Sequence, residues 1–92
     1  MKSIMQTEKR CYICTTMLNL HKHHIFQGKN RKTSENNGFT VYLCGEHHNM
    51  SDNSVHFNHN MDRKIKEECQ KVYELRHTRE EFMALIGRNY RE

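Results

Sequence analysis

Cys11-Tyr12-Ile13-Cys14 and Cys44-Gly45-Glu46-His47 are two ligand pairs of identical spacing, separated by 29 residues. Each pair can present two side chains to one ion, and thiolate with imidazole suits tetrahedral zinc. A zinc held by Cys11, Cys14, Cys44 and His47 would cross-link the N-terminal region to a distant part of the chain. In a small polar chain that metal energy is folding energy. The fourth cysteine, Cys69, lies among apolar positions of helical spacing and reads as a small buried hydrophobe.

The remaining histidines are grouped as well. His23 and His24 are adjacent, His48 follows the second knuckle directly, and His56 comes eight residues later, with His59 beyond it. Neighbouring residues on a strand point to opposite faces, so His23 and His24 cannot both serve one ion from a regular strand. One of them can bind metal while the other does separate work. His21 and His77 read as surface residues. The x2 spacing favours His47 as the zinc ligand, and an exchange of roles between His47 and His48 is the alternative.

These side chains need elements to position them. Leu20 to Phe26 is a short run that reads as a strand. Residues 27–38 form a polar stretch read as a loop, with Asn37-Gly38 as its turn signal. Phe39 to Leu43 is β-branched and aromatic, the best strand in the chain. The pair predicts a β-hairpin with a long basic loop, and Cys44 to His48 leads from it into a helical turn. Met61, Ile65, Cys69, Val72 and Leu75 repeat at helical spacing and predict a helix over 61–76. Thr78-Arg79-Glu80-Glu81 is a capping box that starts a second helix over about 79–86, with Gly87 as its C-cap.

The order C-x2-C, Leu20-x-x-His23-His24-Ile25, loop, strand, Leu43-Cys44-x2-His47-His48 and a later histidine resembles the HNH endonuclease family. The likeness covers residues 11–59, about half the chain, and extends more loosely to phage HNH-type proteins such as the RecA-dependent nucleases of recombination. It implies an α+β fold: a zinc-stapled, treble-clef-like ββα-metal motif over 11–59, with a helical tail over 60–92, in one domain spanning 1–92. It implies a metal-dependent DNA endonuclease that hydrolyses phosphodiester bonds. His24 would be the general base, and His23, His48 and His56 the ligands of a second divalent ion. Cys11, Cys14, Cys44 and His47 would hold the structural zinc, although many members have Cys at the His47 position. The family's middle Asn falls where this chain has Phe39. Asn30, Asn36, Asn37 and Asn49 are near but out of register.

The chemistry matches these residue types. A neutral imidazole, with an ordinary pKa near ~6.5, can take a proton from water. A divalent ion at the scissile phosphate neutralises developing charge. Mg²⁺, Mn²⁺, Ni²⁺ and Zn²⁺ are the candidates, and a shell of imidazoles favours a transition metal.

Composition sets the outer bounds. The 92 residues carry 15 Lys+Arg against 11 Asp+Glu, a formal charge of +4, with a pI near 9.0 and a mean hydropathy of −1.03. No stretch approaches the ~18 apolar residues of a membrane helix, and Met1 to Arg10 has no apolar signal core. The expected setting is therefore the cytoplasm, and the resemblance implies a phage- or prophage-encoded protein in a bacterial host. Lys29, Arg31 and Lys32 follow the histidine pair and are the expected DNA contacts, holding phosphates without reading sequence. Arg63, Lys64 and Lys66 read as a solvated helix face. The expected partner is DNA, recognised with low sequence specificity or by its structure, with a recombination or host-defence protein as a further candidate. Oligomeric state is left open. The rival reading is a zinc-binding module that contacts nucleic acid or protein without cleaving, such as a phage anti-defence protein on a nuclease-derived fold.

Overall fold

A computed structural model describes residues 1–52 and 54–91. Its centre is a two-stranded antiparallel sheet, β1 (Leu20–His24) and β2 (Thr40–Cys44), in the register Leu20↔Cys44 to His24↔Thr40. β1 starts where the sequence places it and ends two residues earlier, and β2 is shifted one residue toward the C-terminus at both ends. Ile25 leaves β1 but extends the ladder by donating to the Phe39 carbonyl, and Phe39 donates to Ser34 rather than entering β2. The outer edge of β2 is covered by the N-terminal arm. Ser3 and Gln6 bond the backbone of Thr40 and Tyr42 through their side chains, and Tyr12 N–H bonds the Tyr42 carbonyl. Polar side chains thus satisfy an edge that would otherwise invite another strand.

The stretch read as a loop is folded. A 3-10 turn, Gly28–Asn30, runs into α1 (Arg31–Asn37). The element escaped the sequence reading because it buries one residue only, Ser34. Apolar periodicity cannot reveal a helix held by polar contacts. The Ser34 hydroxyl accepts from Phe26 N–H at 3.1 Å and donates to Phe26 O at 2.7 Å, pinning α1 to the end of β1. Asn37-Gly38 is accordingly a helix C-cap and not a hairpin turn, with Gly38 at φ 72°. A Cβ there would run into the Lys2 carbonyl and the Ile4 side chain. Left-handed backbone costs an L-residue roughly 1–2 kcal/mol before any clash is counted. Gly38→Ala is therefore expected to lower the stability of the zinc-loaded protein by about 2 kcal/mol or more. A shift of the urea midpoint of less than half that would show that the arm yields instead.

Two helices complete the chain, α2 (His59–Tyr73) and α3 (Arg79–Ile86). The second matches the expected bounds, including the reciprocal Thr78–Glu81 capping box and Gly87 in the left-handed C-cap. The first starts and ends earlier than 61–76. Asn58 caps it by accepting from Met61 N–H, and Leu75, expected on the apolar stripe, is 80% exposed beyond its end. Phe26, Phe39 and Phe82 form the core with Ile25, Leu43, Ile65, Cys69 and Ile86, the Phe rings meeting at 5.6–6.0 Å. The core thus draws on both helices of the tail as well as on the hairpin. No helix among the described residues is long and apolar enough to cross a membrane.

Candidate metal centres

The first centre is built from a tight knuckle and the end of β2. Cys11 N–H bonds the Thr16 carbonyl and Thr15 N–H bonds the Cys11 carbonyl, with Thr15 at φ 66°. This closes the loop and turns Cys14 back toward Cys11. On the other side, β2 delivers Cys44, and the wide π-helical turn Glu46–Met50 delivers His47. Such turns are rare and concentrate at functional sites. The four ligand atoms lie within 4.8 Å of one another. Cys14 Sγ and Cys44 Sγ are 3.7 Å apart, Cys11 Sγ and His47 Nδ1 3.7 Å, and Cys44 Sγ and His47 Nδ1 3.3 Å. A tetrahedron with bonds of about 2.3 Å to sulfur has edges of about 3.8 Å. The cluster fits zinc in size, donor set and shape. Burial opposes charge on the Cys11 thiol, but backbone donors at Cys14, Cys44 and Ile13 outweigh it and bring the thiol down to about 6. A thiolate is the form a zinc site uses.

The second centre lies across the sheet. His23, His48 and His56 also place ligand atoms within 4.8 Å of one another. His23 is the fourth of the five residues of β1. His48 follows His47 in the π turn, where one step of rotation sends the two rings into different clusters. His56 precedes α2 and is placed by Val55 N–H, which bonds the His47 carbonyl at 2.8 Å. His48 and His56 face each other through Nε2 at 3.3 Å. Imidazoles sharing an ion at about 2.1 Å would stand at such a distance.

His23 is 2% exposed, and its Nε2 has no hydrogen-bond partner among the described residues. A buried ring nitrogen without a partner is costly, and an ion is one way to satisfy it. Gln27 lies 3.4 Å from His23 Nδ1. With its amide oxygen turned there, it would accept Nδ1–H and leave the Nε2 lone pair free. Burial, then His48, His56, His24 and Lys66, push the His23 imidazole down to about 3. His48 is lowered as well, by burial and then by His56 and His21. Neutral imidazole is the ligand form.

Three residues gain roles that the sequence reading did not give them. His21, expected at the surface, is half-buried, and its Nδ1 is 2.9 Å from His48 Nδ1. It orients the His48 ring from the same strand face as His23. The alternation along β1 already contained that signal. Glu35 sits on α1, so reading the segment as a loop hid it. Its carboxylate bonds Lys22 Nζ at 2.8 Å and His24 Nε2 at 3.1 Å, and those two partners, Lys22 first, hold its carboxyl down at about 2. Gln27 joins from the turn after β1.

His24 points away from the triad toward Glu35, as strand alternation requires, yet it lines the same cleft of about 330 Å³ with His23, His48, His56 and Arg31. Of the expected DNA contacts, Arg31 lines this cleft, while Lys29 and Lys32 are exposed on the adjoining 3-10 turn and helix. His59 opens α2 outside both clusters, and His77 stacks on Tyr73 at 4.1 Å. Asn30 bonds the Ile86 carbonyl and Asn37 the Thr33 carbonyl. Among the described residues, no asparagine side chain bonds His24.

The chain matches no protein-family model, no curated protein and no solved structure. What the geometry itself defines is a small α+β protein with an antiparallel hairpin, helices, a Cys3His cluster and a histidine triad that could each hold an ion such as zinc.

Proposed function

We propose that this chain is a metal-dependent endonuclease of the HNH type acting on DNA. The observation that carries the reading is the triad His23, His48 and His56, which converges in a cleft shared with His24 and Arg31. A structural site explains the Cys3His cluster but leaves this second, more open histidine site without a purpose. An ion held by the three imidazoles would supply charge neutralisation at a scissile phosphate. The chain's own residues do the rest. Glu35 accepts Nε2–H of His24, which leaves Nδ1 bare as the atom that takes a proton from water. Arg31 offers a bidentate donor to a phosphate at the cleft rim.

The test is nicking of supercoiled plasmid with Mg²⁺, Mn²⁺, Ni²⁺ or Zn²⁺ added separately, alongside metal analysis. The wild type is expected to bind one zinc tightly and a second ion more weakly, and to nick. His56→Ala, at an exposed position, is expected to keep the zinc, lose the second ion and lose nicking. A wild type that holds only one ion and never nicks would favour the binding-module reading. One observation points that way: the position of the family's middle Asn is Phe39, and the side chain that holds His24 is Glu35.

A further inference from the structure

The C-terminal segment after α3 is fixed to α2 by a buried side chain. Gln70 is fully buried, and a buried amide must use both ends. Its oxygen accepts from Tyr90 N–H at 2.7 Å, and its nitrogen donates to Asn89 Oδ1 at 2.8 Å and Glu74 Oε2 at 2.6 Å. Glu74 in turn binds Arg91 at 2.6 Å. The clamp lays the Tyr90 ring beside Phe26 at 5.5 Å.

Three cations gather on that ring: Arg88 at 4.9 Å, Lys66 at 5.7 Å and Arg63 at 5.8 Å from its centroid. One ring attracts an exposed cation by about 0.5–1 kcal/mol, and the three positive groups repel one another. Lys66 has a counter-charge in Asp62 at 2.9 Å. Among the described residues, neither Arg63 nor Arg88 forms an ion pair. One hydrogen bond links the cluster's end of the fold to the histidine cleft. Asn30 bonds the Ile86 carbonyl at 3.0 Å, joining the start of α1 beside Arg31 to the end of α3 just before Arg88.

We infer that Arg63, Lys66 and Arg88, gathered on Tyr90, form a second phosphate-holding surface that carries the backbone of duplex DNA away from the histidine cleft. The choice of DNA rests on the nuclease reading, while the residues rest on the geometry. Arg63 and Lys66, read from the sequence as part of a solvated face with Lys64, thereby gain a role, with the tail supplying Arg88 and the ring. Because the cations occupy the ring, it is not a platform for base stacking, and the contact is independent of sequence.

The test is fluorescence anisotropy of a short labelled duplex with zinc-loaded protein and no second metal added, so that nothing is cut. Arg63→Ala with Arg88→Ala is compared with Lys71→Ala with Arg76→Ala, which removes the same charge elsewhere; zinc content and thermal unfolding confirm that both are folded. The first variant is expected to bind on the order of tenfold more weakly, and its slope of log affinity against log salt to fall by about 2. The second is expected to change far less. Unchanged binding by the first variant, an equal loss in both, or a wild type that does not bind the duplex would each overturn the inference. Binding is read without turnover, so a wild type that binds as expected but never nicks removes the nuclease reading alone. Nicking with unchanged binding in the Arg63/Arg88 variant removes this inference alone.

Discussion

Cys44→Ser, or removal of zinc by a strong chelator, is expected to abolish cooperative unfolding of the chain. Cys44 ends β2 and touches both other parts of the cluster, with Cys14 Sγ at 3.7 Å and His47 Nδ1 at 3.3 Å. Losing its thiolate opens the site rather than trimming it. Structural zinc contributes roughly 10–16 kcal/mol in small zinc-dependent folds at neutral pH, whereas a whole domain is stable by only about 5–15 kcal/mol. The metal term is thus as large as the entire margin. The core hydrophobes include Cys11 and Cys44 themselves, so the same change also weakens the apolar cluster. Circular dichroism and zinc content measured together provide the check. A Cys44→Ser protein that unfolds cooperatively near the wild-type midpoint would show that the cluster is not the staple. Cys69→Ala makes the comparison. It is expected to cost only the few kcal/mol of a small core cavity and to leave the zinc in place.

The two knuckles were legible because metal ligation depends on short local spacing, which survives without knowledge of the fold. Helix α3 was legible for a similar reason. Its start and stop are written in adjacent residues, Thr78 to Glu81 and Gly87. What escaped was held by contacts between segments. α1 depends on Ser34 reaching Phe26, and no pattern within 31–37 announces that. Glu35 was lost with it, although it is the carboxylate nearest to the expected base. The tail offered Gln70 as one more polar residue on a charged helix, and only the fold shows it buried against Tyr90. His21 is the exception, since alternation along β1 placed it on the His23 face. The adjacency of His23 and His24 drew attention away from that longer-range pairing.

The other large effect belongs to His24. His24→Ala is expected to reduce nicking by about 10²–10⁴-fold, the usual contribution of a positioned general base, while leaving zinc content and second-ion binding unchanged. The separation is possible because His24 stands outside the triad and faces Glu35. Glu35→Gln probes the same group from behind. Glutamine keeps an oxygen that can accept His24 Nε2–H but removes the charge that fixes the ring, and such orienting partners are typically worth 10–100-fold. The loss should appear in kcat rather than in DNA affinity, since neither residue is placed on the phosphate-holding surface. Glu35→Gln should therefore retain more activity than Glu35→Ala, which also frees the ring to turn. Lys22 loses its partner in both variants, so Lys22→Ala is the control for the exposed ion pair and should nick nearly as well as wild type. Wild-type nicking by His24→Ala would remove His24 as the base. The cleft would then have to activate water through another of its groups, and Glu35 would revert to an ordinary surface partner of Lys22.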